Sequence, residues 1–166
     1  VNILQPGPGV GGHCIAVDPW FIVARSPNHS KLIKAAREIN DHKPQWVIDK
    51  IKLAIADVLL KSPNKSSGDI TIACYGLAFK PNIDDLRESP ALLIAKKIIS
   101  MHSGTVLIVE PNITSLPGDF KSGQLYDLDK SINEADLHIL LVDHSEFYKI
   151  RPTSGVVIDT RGIWSS

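Results

Sequence analysis

The run Gln5-Pro6-Gly7-Pro8-Gly9-Val10-Gly11-Gly12-His13-Cys14-Ile15-Ala16-Val17-Asp18-Pro19-Trp20 sets one cysteine at the end of a glycine-rich turn, with a carboxylate one helical turn beyond it. Glycine opens backbone angles closed to other residues and lets main-chain N–H groups approach a bound group with no side chain in the way. Local N–H dipoles and a neighbour such as His13 are the surroundings in which a thiol attacks carbonyl carbon as its thiolate. If Val17-Asp18-Pro19 opens a helix, Asp18 falls near the N-terminus, where a carboxylate is favoured and can orient a water. A lone cysteine is ordinarily a small buried hydrophobe. The glycines around Cys14 favour an exposed nucleophile instead.

The same segment contains a decoy. Gly7-Pro8-Gly9-Val10-Gly11-Gly12 satisfies G-x-G-x-x-G, but the dinucleotide fingerprint also needs a strand before it, a helix after it and an acidic residue about twenty positions on. Only Val1–Leu4 leaves room for a strand, Pro6 and Pro8 remove two N–H donors, and the region from Ser30 to Asn40 reads as helix. No dinucleotide site is expected on this loop.

Behind the loop, residues 16–25 read as a short helix. A second helical pattern begins at Ser30, with Leu32, Ile33, Ala36 and Ile39 on one face, and Asp41-His42-Lys43-Pro44 is expected to interrupt it. The pattern resumes through Val47, Ile51, Ala54, Ile55, Val58 and Leu59, the spacing of a core-facing stripe. Residues 62–68 are a linker by composition. Strands and helices then alternate: strands at 70–75, 105–109, 137–142 and 156–159, helices at 90–101 and 131–135. This order predicts an α/β domain, a Rossmann-like parallel sheet with helical crossovers, which binds ligands beyond the carboxyl ends of its strands. Lys80, the turn after Val109, Asp143-His144 and Arg161 all follow strand ends and should converge on one crevice. Ser89-Pro90 is a good helix start, and Ser103-Gly104 a plausible stop. The start of that helix, with Lys80 and Arg87 projecting near it, makes a phosphate site.

Two long motifs carry a resemblance. Gly7-Pro8-Gly9-Val10-Gly11-Gly12-His13-Cys14-Ile15-Ala16-Val17-Asp18-Pro19-Trp20 resembles the catalytic-cysteine segment of the nucleotide-sugar 6-dehydrogenases, closest to members that oxidise UDP-N-acetylmannosamine. Tyr75-Gly76-Leu77-Ala78-Phe79-Lys80-Pro81-Asn82-Ile83-Asp84-Asp85-Leu86-Arg87-Glu88-Ser89-Pro90 resembles the signature that opens the family's UDP-binding domain. The resemblance implies Cys14 as nucleophile, Asp18 as the residue that positions hydrolytic water, Gly11, Gly12, Lys80 and Arg161 as substrate contacts, Arg87 as a contact to the pyrophosphate of NAD, and NAD as cofactor. It divides the chain into a catalytic-cysteine loop and short helix at 1–28, a central helix at 29–62 through which the family forms homodimers, and a UDP-sugar-binding domain at 69–166. Relatives carry an NAD-binding domain and a catalytic lysine and asparagine ahead of this point, so the chain alone is expected to bind part of the UDP-sugar without turning it over. Two alternatives stay open: a UDP-glucose or other UDP-hexosamine 6-dehydrogenase, and a non-catalytic nucleotide-binding or dimerisation module.

Other classes are disfavoured. Lys plus Arg and Asp plus Glu both number 18 in 166 residues, so no basic field exists to draw in nucleic acid. Cys14 and Cys74 sit in unlike settings, one on a loop and one in an apolar strand, which argues for a reducing compartment. With no long apolar run or signal sequence, no membrane partner is expected and the cytoplasm is the default. Asp143-His144-Ser145 cannot form a triad from adjacent positions and reads as loop. Asp84, Asp85 and Glu88 lack a histidine at ligand spacing, so no metal is expected.

Overall fold

The computed structural model describes residues 5–118, 120 and 124–164; Val1–Leu4, the only room for a strand before the glycine loop, lies outside the described residues. Ile72, Ala73, Cys74 and Tyr75 form β1 (Ile72–Tyr75), and all four are buried because both faces of this strand are covered. Ile72 and Cys74 face a layer made by α2 (Lys31–Lys61) and α3 (Pro90–Met101). Ala73 and Tyr75 face Leu107, Leu140, Phe147 and Trp164. The alternation is the period-two pleat of a strand between two layers.

Five parallel strands complete the sheet in the order β3-β2-β1-β4-β5, with β2 (Val106–Val109), β3 (Gln124–Leu125), β4 (Leu137–Leu140) and β5 (Val156–Asp159). The chain reverses its direction of winding between β1 and β4, and the crevice beyond their carboxyl ends is the place such a fold binds ligands. α3 begins as its residues require: the Ser89 hydroxyl accepts from the Leu92 N–H and Pro90 takes the first turn. Its cap at the other end is His102, and Gly104 serves close approach instead, since a Cβ there would strike the Ile70 carbonyl. β3 carries no pattern long enough to be read from sequence.

The expected break at Pro44 does not occur. α2 runs unbroken from Lys31 to Lys61 with Pro44 buried inside it. An interior proline costs about 3 kcal/mol. Next to it Val47, Ile48 and Ile51 are fully buried against the sheet layer, and α2 packs on both α1 (Asp18–Arg25) and α3, which offsets that cost. The stripe Val47, Ile51, Ala54, Ile55, Val58 and Leu59 is taken up by the chain's own core and is not free for a partner. The opposite face exposes Leu32, Ile39, Trp46, Leu53 and Leu60, one residue per heptad. Among the described residues no helix is long and apolar enough to cross a membrane.

Candidate active site

A cavity of about 320 Å³ opens beyond the β1 and β4 ends, lined among others by Gly9, Gly11, Ile15, Phe79, Lys80 and Arg161. Two chain segments that are distant in sequence form its walls. One is the glycine loop. Gly9 and Gly12 take φ of +142° and +94°, and a Cβ on Gly12 would press on the Phe79 ring at 2.9 Å. A Cβ on Gly11 would collide with the Glu88 carbonyl, so this glycine serves contact rather than backbone freedom.

The loop ends at Cys14, which is exposed. The Asp18 N–H donates to the Cys14 carbonyl at 2.8 Å, so thiol and carboxylate stand one turn apart where α1 opens. Ile15 lines the cavity, and Cys14 is the residue before it in the chain.

The other wall is the turn that leaves β1. A Cβ on Gly76, whose φ is +89°, would collide with Val142 on the strand-end segment following β4. Two donors of this turn, the N–H groups of Leu77 and Ala78, point at one buried carboxylate oxygen of Glu110, at 2.6 and 3.1 Å. The same oxygen faces His144 Nε2 at 3.0 Å, and the other accepts from the Asn112 N–H at 3.1 Å. His144 Nδ1 accepts from the Asn82 N–H at 2.9 Å, so its proton sits on Nε2 and is donated to Glu110. Burial raises the Glu110 pKa, but the hydrogen bonds from His144 and the Leu77 and Asn112 backbones outweigh it and hold the carboxyl below its ordinary value. Ser89 donates its hydroxyl to the Leu77 carbonyl at 2.6 Å and ties the turn to the start of α3.

The sequence-predicted residues do not all meet. Gly11, Lys80 and Arg161 share the cavity with Pro90 and Ala91 at the start of α3. Arg161 is aimed by Asp143, whose carboxylate accepts from Nε at 2.6 Å, and a Cβ on Gly7 would run into the Arg161 guanidinium. Arg87 does not join Lys80 there. It is exposed and forked onto Asp85 at 2.6 to 3.1 Å, and this hydrogen-bonded fork holds the Asp85 carboxyl down at about 2. Asp85 raises the Arg87 pKa in return. Cys74 is buried, and burial pushes its thiol up to about 12. Ser145 opens a short 3-10 helix, Ser145–Tyr148, and His144 is its buried cap. Among the described residues no three His, Cys, Asp or Glu side chains gather to hold a metal. Sequence reasoning pointed to the turn after Val109 and to Asp143-His144 as strand-end groups, but it missed Glu110 as the partner of His144 and missed Asn82 altogether.

A parallel sheet whose strand ends meet a cysteine loop and two cationic side chains has the architecture of a ligand-binding α/β fold, and comparison with known proteins supplies the class. The UDP-binding domain of the UDP-glucose/GDP-mannose dehydrogenase family matches residues 73–166, and the central domain of that family matches residues 1–42. The chain belongs to this family. It is 56% identical over 99% of its length to a UDP-N-acetyl-D-mannosamine dehydrogenase of Escherichia coli K12, of which it covers 40%. It is 52% identical over its full length to an NDP-N-acetyl-D-galactosaminuronic acid dehydrogenase of Ralstonia solanacearum, of which it covers 38%. A solved UDP-N-acetyl-mannosamine dehydrogenase from Staphylococcus aureus superposes with a TM-score of 0.74 at 37% identity, over 100% of this chain and 38% of that one. The chain thus spans about 40% of the length of these curated relatives.

Proposed function

We propose that this chain is the thiol-bearing and nucleotide-binding part of an NAD-dependent dehydrogenase that oxidises C6 of UDP-N-acetylmannosamine to the carboxylate. The observation that carries the reading is the meeting, on one cavity, of the glycine loop ending in Cys14 with Lys80, Arg161 and the start of α3. The exposed Lys80 ammonium and the N–H groups of the first α3 turn bind the diphosphate. Arg161, already oriented by Asp143, reaches the sugar side of the ligand, and Gly11 and Gly12 let the loop close on it.

The sheet does not fit a dinucleotide. The carboxylate that ends β2 and would take a ribose hydroxyl in a dinucleotide fold is Glu110, buried and with both oxygens occupied by Leu77, Ala78, Asn112 and His144. Arg87, on the exposed side of the loop, is the one side chain here assigned to the NAD pyrophosphate. The chemistry that belongs to this chain is covalent. The Cys14 thiolate adds to the C6 aldehyde, the S–C bond forms, and the carbonyl oxygen takes a proton to give a thiohemiacetal. NAD, when bound, would supply the hydride acceptor that takes C6 from alcohol to aldehyde and from thiohemiacetal to thioester. With C6 at the thioester level, water adds, the Asp18 carboxylate accepts its proton, and the thiolate leaves as the S–C bond breaks. In the complete enzyme, uronate formation from UDP-N-acetylmannosamine should be lost in Cys14→Ser by about a thousandfold or more. Uronate at the wild-type rate in that variant would overturn the covalent route, and equal turnover of UDP-glucose would overturn the assigned sugar.

The exposed heptad stripe on α2 takes a second copy of this chain, because its spacing suits a helix of the same kind crossing at a shallow angle. Sedimentation equilibrium should show a dimer for the wild type and a monomer for Leu53→Lys. A monomeric wild type would remove this partner.

A further inference from the structure

The glycine wall is nearly unsupported by its own backbone. Among the described residues, both hydrogen bonds made by residues 5–11 go to one side chain, that of Asn40 on α2. The Val10 N–H donates to Asn40 Oδ1 at 2.7 Å, and Asn40 Nδ2 donates to the Val10 carbonyl at 3.1 Å. The carboxamide thus satisfies both main-chain groups of one residue, as a neighbouring strand would. Val10 lies between Gly9 and Gly11, where the chain has no side chain of its own to hold it.

The helix is arranged to permit this contact. Pro44 has no N–H, so the Asn40 carbonyl lacks its partner one turn on. That carbonyl is turned toward the loop, where a Cβ on Gly9 would stand 3.6 Å from it. The unbroken passage of α2 through Pro44, unexpected from sequence, thereby carries Asn40 to the loop as part of a helix anchored on the core at Val47, Ile48 and Ile51. A rigid element holds a flexible one at a single residue.

We propose that Asn40 is a positioning residue for the Cys14 loop: its carboxamide clamps Val10 and so sets the thiol over the nucleotide cavity. The inference rests on the reading of Cys14 as the group that meets the sugar. It assigns Asn40 no contact with substrate. UDP held by Lys80 and α3 should be indifferent to it, whereas whatever depends on the placement of Cys14 should not.

The test uses this chain with iodoacetamide as thiol probe, since buried Cys74 stays silent. In Asn40→Ala, amide exchange at Val10 should quicken about tenfold or more and Cys14 alkylation should change about threefold or more. UDP-N-acetylmannosamine should lose most of its protection of Cys14, while the affinity for UDP alone stays within about threefold. Should the alanine variant fail to fold, Asn40→Asp carries the test: it keeps the shape and the acceptor for the Val10 N–H but cannot donate to the Val10 carbonyl as a carboxylate. Wild-type exchange at Val10 with wild-type Cys14 reactivity and protection, in whichever variant folds, overturns the proposal, as does an equal loss of UDP affinity. If the sugar fails to protect Cys14 in the wild type, the functional reading falls, and exchange at Val10 together with the alkylation rate still decides the clamp.

Discussion

The two walls of the cavity are held by opposite means. The turn at 76–82 is fixed from beneath by a buried carboxylate whose oxygens are all occupied, relayed through His144 to Asn82 and through Ser89 to α3. The glycine loop is held from outside, by one carboxamide and by close contacts with Glu88, Phe79 and Pro90. A saturated buried network gives a wall with one conformation, which would suit the preorganised phosphate site proposed at Lys80. A loop held at one residue can yield, which would suit the thiol chemistry proposed for Cys14. The two cysteines repeat the contrast: Cys14 ends the loop and is exposed, whereas Cys74 lies on the strand that feeds the fixed wall and has no access to water.

The sharpest test of that contrast is chemical. Under native conditions iodoacetamide should modify Cys14 roughly 10³-fold faster than Cys74 or more, because Cys74 reacts only when the sheet opens. In denaturant the two rates should converge. Comparable native rates would mean that β1 is not the closed strand described.

Glu110→Gln should cost about 2–4 kcal/mol, because the amide cannot accept at every position the carboxylate fills and leaves buried donors unpaired. The Glu110 carboxyl is held below its ordinary value in the folded state. Its contribution is therefore complete above the ordinary carboxylate range and is lost as pH falls through that range toward the folded value. The gap in thermal midpoint between wild type and Glu110→Gln should be full near neutrality and shrink below about pH 4.3. A gap that widens on acidification would show that the carboxylate is not what fixes this wall.

Lys80→Ala should weaken UDP binding by about 1.5–3 kcal/mol, roughly ten to over a hundredfold, read by calorimetry. Stability should hardly change, since Lys80 is exposed and its ammonium rests only beside the Phe79 ring at 5.6 Å. Equal UDP affinity would move the nucleotide off this cavity and leave residues 76–87 as scaffold.

The sequence by itself determined what depends on neighbours along the chain. α3 spans Pro90–Met101, the range read with a serine cap and proline at its start, and β5 spans Val156–Asp159, as read from the sequence. The parallel sheet followed from the alternation of elements, and Lys80 and Arg161 were placed at strand ends, where the structure brings them to one cavity. Tertiary structure decided everything that rests on a sum over distant groups. Local propensity ends a helix at Pro44, but burial of Val47, Ile48 and Ile51 carries α2 through it. Arg87 and Lys80 are neighbours in sequence, yet Asp85 draws Arg87 away from the cavity. Glu110 with His144, and Asn40 with Val10, become partners only when strand ends and a helix are brought within hydrogen-bond distance. No spacing along the chain encodes that meeting, because a hydrogen bond between residues far apart in sequence depends on the whole packed arrangement that carries them together.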